Sequence, residues 1–131
     1  MKPQNFSSLV LLISVLPFAS HLFAGEPVPK AEPEFNGKPI GFWISRLTEK
    51  SDTFIFALEA QCVLAKIGSP AVPPVLKLLE SKDEDARRKA IFVLKGIGKD
   101  AKDALTALLR HLREDPEEDV RGEAVRGLAG M

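Results

Sequence analysis

Cysteine occurs once in the 131 residues, at Cys62, so no internal disulfide can brace the fold and stability must come from packing. Histidine occurs twice, at His21 and His111. Nothing placed by sequence beside His111 supplies the Cys, Ser or second His that a catalytic triad or metal site needs. HExxH, CxxC and GxSxG are all missing. The "GIGK" at Gly96–Lys99 is followed by Asp100 rather than Ser or Thr, with no strand before it, so it is not a phosphate loop. An excess of one charge is missing as well, because 18 basic residues stand against 18 acidic ones. A surface that tracks phosphates needs a basic excess, so nucleic acid is not an expected partner. No cofactor or metal is called for. No segment alternates polar and apolar residues over a useful length, which turns the reading away from a β protein.

One apolar run stands apart. "MKPQNFSS" carries a single Lys and leads into "LVLLISVLPF" and then "ASHLFAGE", the order of a secretory signal peptide. Its expected extent is residues 1–24, with cleavage after Ala24. An uncleaved anchor is the alternative, but a spanning helix needs about 20 apolar residues, and this run is interrupted by Pro17 and His21. No Cys lies near the cleavage region to take a lipid. Removing Met1 to Ala24 takes away Lys2 and no acid, leaving 17 basic and 18 acidic residues and no membrane span. The expected location is the periplasm, the envelope or the exterior. Residues 25–35 include "EPVPKAEPE", whose alternating prolines favour an extended spacer.

Residues 36–131 carry an internal echo. Ala60 set on Ala90 brings Val63, Leu64, Ile67, Gly68 and Ala71 onto Val93, Leu94, Ile97, Gly98 and Ala101. Val75, Leu78 and Leu79 then fall on Leu105, Leu108 and Leu109. A third copy begins at Glu118, with Asp119 over Asp85, Arg121 over Arg87, Ala124 over Ala90 and Leu128 over Leu94. Its wider spacing assigns "EDPE", Glu114–Glu117, to a longer turn. A period near 30 residues signals a repeat array.

Each unit reads as two helices. The first carries acids in its opening turn and a Gly at its close, matching the dipole and the left-handed cap. The second begins at "SPAVPP" or "KDAKDA"; Pro70 fits a first turn, and Pro73 and Pro74 predict a tight 3₁₀ turn or a restart near Val72. Ahead of the units, Asn36 and Gly37 give a turn and Ile40, Trp43, Ile44 and Leu47 recur at helical spacing. The expected divisions are a half-unit at 36–50, unit one at 53–82, unit two at 83–116 and a partial unit three at 117–131. A hairpin this small cannot bury both its stripes alone, so neighbours must stack. That places Leu64, Ile67, Val75, Leu79, Ile91, Leu94, Leu105 and Leu109 in the core.

The pattern "DxxRxxAxxxLxxIG" followed by "xxAxxxLxxLL" resembles the HEAT-like repeats, above all the short variety first noted in phycobilisome lyases and common in bacterial reading frames. The resemblance covers about Phe54 to Met131, and "FNGKPIGFWISRL" resembles the half-repeat that opens many exported members. It implies an all-α fold, a short right-handed α-solenoid of helical hairpins. It also implies a non-enzymatic scaffold whose curved face holds a protein partner. A lyase-like enzyme or chaperone of tetrapyrrole attachment is the alternative, and it would require a polar pocket with an acid or His aimed inward.

Within that frame, Arg87 and Arg121 recur at one position of successive first helices, where unit one has Ala57. They are read either as glue to a neighbouring unit's Asp or backbone, or, with Lys89, as a basic rung for an acidic partner. Phe54, Ile55 and Phe56 stand where unit two has "EDA" and unit three "EDV", so two positions expected to face solvent are strongly apolar. They either pack against the Trp43 helix or form an exposed apolar patch for a partner. Cys62 is read as a small hydrophobe, His111 as a solvated or dipole-facing side chain, and the acids at Asp83–Asp85 and Glu114–Asp119 as helix N-terminal charges. Gly122, Gly127 and Gly130 weaken the last helix. Its open side suggests a minimal cap, a homo-oligomer contact or a truncated longer array. Cleavage after Ala24 predicts a mature chain that begins at Gly25. Intact mass and N-terminal sequencing of envelope-fraction protein check this, and a chain still beginning at Met1 contradicts it.

Overall fold

The computed structural model describes residues 31–50 and 54–131; the signal-peptide expectation and most of the spacer lie outside them. The described chain opens with a two-residue hairpin, β1 (Glu34–Phe35) paired antiparallel with β2 (Lys38–Pro39). Asn36 and Gly37 form its turn with positive φ angles of 53° and 68°, the conformation that a two-residue hairpin loop demands. The expected spacer therefore ends in a strand at Glu34–Phe35. Helix α1 (Ile40–Thr48) follows directly, and Trp43 donates its indole N–H to the Phe35 carbonyl at 3.4 Å, tying the hairpin to the helix.

The remainder is all-α, as expected. Helix α2 (Phe54–Ile67) turns through a 3₁₀ segment (Ser69–Ala71) into α3 (Val72–Leu79). Helix α4 (Glu84–Ile97) turns through a second 3₁₀ segment (Gly98–Ala104) into α5 (Leu105–Glu114), and α6 (Glu118–Ala129) ends the series. Gly68 and Gly98 close α2 and α4 with φ of 76° and 69°, a backbone that L side chains rarely adopt. The Asp83 carboxylate caps α4 by accepting the Asp85 N–H at 3.0 Å, which satisfies one orphan donor of the first turn. Pro73 and Pro74 stand in the first turn of α3, where their missing N–H groups cost no intrahelical bond.

Packing follows the repeat. Helices α1, α2, α4 and α6 stack in sequence, while α3 packs on α4 and α5 on α6. One continuous apolar core runs through the stack, with Leu47, Leu64, Val75, Leu79, Ile91, Val93, Leu94, Leu108 and Val120 fully enclosed. Ile67 is half-buried against it.

Two expectations are corrected. Leu105 and Leu109 are not core residues, being 39% and 41% exposed, and Ala104 and Leu108 occupy the inner positions instead. The 3₁₀ segment entering α5 has seven residues against three entering α3. That segment is not continuous: Ala101, at φ −101° and ψ 21°, leaves the helical range and puts a kink between two short turns, which resets the facing of the helix that follows. The inner face therefore moves one residue towards the N-terminus. The second correction concerns "EDPE". The extra residues do not lengthen the turn, since α5 continues through Glu114 and the link to α6 is only Asp115–Glu117. They are taken up in the longer 3₁₀ segment and helix.

The glycines of α6 are not equivalent. A Cβ at Gly127 would lie 2.9 Å from the Ile91 Cγ2 methyl, which is fully buried, whereas one at Gly122 would meet nothing within 4 Å. Gly127→Ala should lower stability by about 1 kcal/mol, because crowding of the seam outweighs the gain in helix propensity. Gly122→Ala should raise it by about 0.5–1 kcal/mol. Urea melts of the two variants check the opposite signs.

Candidate functional site

Arg87 lies one turn into α4, where its side chain is buried and all its bonds point inward. Its Nη1 donates to the backbone carbonyls of Ser81 at 2.9 Å and Lys82 at 3.1 Å. Its Nε and Nη2 donate to Asp115 Oδ2 and Oδ1, both at 2.9 Å, the parallel fork that guanidinium and carboxylate geometry favours. Asp115 Oδ1 also accepts the Glu117 N–H at 3.0 Å. His111 Nδ1 lies 2.8 Å from Asp115 Oδ2. Three groups, from α4, the end of α5 and the entry to α6, thus converge on one carboxylate through four contacts.

The electrostatics are consistent with that geometry. Burial alone would push the Asp115 carboxyl upward, but hydrogen bonds from Arg87, His111 and the Glu117 N–H outweigh it and hold the group below its ordinary value. The bond to Asp115 raises Arg87 in turn, against the opposing effect of burial. Since Asp115 is ionised and already accepts from Arg87, the proton at the contact belongs to His111 Nδ1. Nε2 is enclosed and makes no hydrogen bond among the described residues.

These contacts decide between the two readings of Arg87 and correct that of His111. Arg87 is glue to the neighbouring unit's Asp and backbone rather than a surface rung, since its guanidinium is enclosed and all three of its nitrogens are engaged. His111 is buried rather than solvated, because α5 runs far enough to bring it one turn before Asp115. Asp115 itself is not a plain helix-dipole acid. A cavity of about 310 Å³ adjoins the cluster, lined by Glu80, Ser81, Arg110, His111, Glu114 and Asp115 among others, and Arg110 pairs with Glu80 on its wall. No trio of His, Cys, Asp or Glu suited to a metal gathers among the described residues.

Arg121 repeats half of the clamp. Its Nη1 donates to the carbonyls of Asp115 at 2.8 Å and Pro116 at 3.1 Å, just as Arg87 holds Ser81 and Lys82. Lys89 is paired along α4 with Asp85 at 2.6 Å. Arg87, Lys89 and Arg121 therefore form no continuous basic row.

The apolar candidates fall differently. Phe54 and Ile55 are 72% and 69% exposed, so they do not pack against α1; of the three apolar residues only Phe56 turns that way, with the Arg46 guanidinium 4.1 Å from its ring centre. A groove of about 130 Å³ runs beside Phe54, lined by Gln61, Arg88, Lys89, Phe92 and two acids. Phe92 is exposed on α4 and Cys62 on α2, at the matching repeat position. Arg88 makes no ion pair among the described residues, whereas its neighbours Lys89 and Glu123 are paired with Asp85 and Arg126. Phe92 and Arg88 went unnoticed in the sequence, although Phe92 lies four residues after Arg88, on the polar side of α4, where an aromatic is out of place.

Asp115→Asn should destabilise the fold by about 3 kcal/mol or more at neutral pH, because it leaves the Arg87 charge buried and uncompensated. A carboxyl held low in the folded state lends stability that is present above its unfolded value and lost as pH falls through its folded value. The gap between wild type and Asp115→Asn should accordingly narrow below the ordinary carboxylate range. Urea melts across acidic pH check this, and a gap that stays constant contradicts it.

A family model described as HEAT repeats matches residues 42–129. No curated protein and no solved structure gives a significant match. The matched span runs from α1 through α6 and takes in every helical seam described above. The chain belongs to the HEAT-repeat family.

Proposed function

We propose that this protein is an exported, non-enzymatic scaffold whose groove between α2 and α4 holds a protein partner. HEAT repeats commonly mediate protein–protein contacts, and one observation locates the surface. Phe54 and Phe92 are exposed and line the groove with Arg88, a cation without a carboxylate partner among the described residues, and Ile55 is exposed next to Phe54 in the chain. Exposed aromatics grouped with an arginine are the residue types that dominate binding energy at interfaces. The partner that fits is a protein segment with an apolar side chain for the Phe54 and Phe92 wall and an acid for Arg88. Of the residues first singled out, Phe54 and Ile55 remain anchors, Lys89 lines the groove, and Arg87 and Arg121 stand outside it. Export rests on the leader at residues 1–24. No helix among the described residues is long and apolar enough to cross a membrane.

The cavity beside His111 favours a second reading, in which a lyase-like reaction uses the His111–Asp115 pair. The groove reading is preferred because His111 Nε2 is enclosed and the Asp115 oxygens are already occupied by Arg87, His111 and the Glu117 N–H.

Cross-linking of the tagged protein in its native envelope, followed by capture and mass spectrometry, should return one recurrent partner. Phe54→Ser with Ile55→Ser, both at exposed positions, should leave the helical signal intact and weaken that partner's binding about tenfold or more. Unchanged binding in the folded variant contradicts the assignment of the surface.

A further inference from the structure

Gln61 breaks the repeat inside the groove between α2 and α4. It aligns with Ile91 of unit two, a fully enclosed core residue, and is itself only 9% exposed. Its carboxamide makes no hydrogen bond among the described residues, yet its polar atoms are not sealed off as His111 Nε2 is, and Gln61 lines the groove with Phe54, Phe92 and Arg88. A buried amide without a partner costs stability that the aliphatic side chain of unit two does not. The groove is where its donors and acceptor are left to find one.

Three properties limit what the groove takes. Its other charges cancel in pairs, Asp85 with Lys89 and Glu123 with Arg126, so Arg88 leaves one cation in excess and calls for one carboxylate. Its volume of about 130 Å³ lies well under the roughly 300–1,000 Å³ of small-molecule sites and suits a single large side chain. The Gln61 amide offers an acceptor and two donors, which suit free backbone groups. A helix keeps its N–H and C=O groups internal, so the ligand is extended backbone. In an extended segment neighbouring side chains point to opposite faces, which turns an adjacent acid away from the groove. Only the last residue of a chain carries a carboxylate on the same Cα as its side chain.

We propose that the groove captures the C-terminal residue of its protein partner, and that this residue is aromatic. Arg88 and Gln61 Nε2 donate to the terminal carboxylate, Gln61 Oε1 accepts the last backbone N–H, and the ring packs against Phe54 and Phe92, whose edges and faces suit another ring. The assignment rests on the groove being the partner's site and adds which part of the partner enters it.

The probe is a six-residue peptide of glycine and serine ending in phenylalanine with a free carboxylate. It is titrated into the isotopically labelled protein and followed by NMR at the Gln61 side-chain NH₂ and the Arg88 Nε–H, and both signals should shift saturably. Amidating the terminus, ending the peptide in alanine, or Arg88→Met in the protein should each weaken binding about tenfold or more, since each removes a charge-assisted bond or the buried ring. Gln61→Leu should weaken it similarly while raising the urea midpoint; a glutamine that served only the fold would lower the midpoint when replaced. Equal binding of acid and amide overturns the proposal. So does equal binding of an amidated peptide with an aspartate two residues before the phenylalanine, which would place an internal segment in the groove. If the free acid does not bind while Phe54→Ser with Ile55→Ser still releases the cross-linked partner, the terminal residue is overturned and the groove reading stands; if the partner is retained as well, both fall.

Discussion

Removing one carboxylate would leave three elements of this chain without a common anchor. Asp115 receives both forks of the Arg87 guanidinium, the His111 ring N–H and the Glu117 backbone N–H. It thereby joins the start of α4, the end of α5 and the entry to α6. A buried ion pair of this kind adds little stability compared with an apolar replacement of the same volume, yet it strongly penalises arrangements that separate the partners. Its effect is to set register. Apolar stripes alone tolerate sliding of one helix past another, whereas a fork of two 2.9 Å bonds does not.

The other seams rely on closeness rather than charge. Gly96 faces Ala65 across α4 and α2, and Gly127 faces Ile91 across α6 and α4; a Cβ on either glycine would come within 2.9 Å of its neighbour. With the first helices held this near, the apolar residues on their inner faces are fully enclosed and the remainder is turned outward. Phe92 and Arg88 are displayed because Ile91, Val93 and Leu94 are all engaged in the core. The candidate binding groove is therefore a consequence of the stacking.

The repeat was legible in the sequence because its signals are local: apolar spacing, acids that open each first helix, and glycines that close it. Gly68 and Gly98 and the restart at Val72 belong to this class. The inner face of α5 was not legible, since its facing is set after the kink at Ala101, and "KDAKDA" carries no mark of that break. Asp115 was hidden for a different reason. Its partner Arg87 is 28 residues away, and "EDPE" reads as acidic turn filler until the fold brings the arginine to it. The His111–Asp115 spacing of four was the one local sign. Phe54 and Ile55 were recognised as out of pattern, but only the structure separates their exposure from the inward turn of Phe56.

A double-mutant cycle at Arg87 and Asp115 tests most directly whether this pair governs the stack. Unfolding free energies of Arg87→Met, Asp115→Leu and the combined variant yield the coupling between the two side chains, free of their separate effects on packing. The account predicts a coupling of about 2 kcal/mol or more, with the double variant more stable than either single one, as expected when a buried pair is removed whole rather than broken. A coupling within about 0.5 kcal/mol of zero would mean that the two residues act independently, and that the stack takes its register from apolar packing alone.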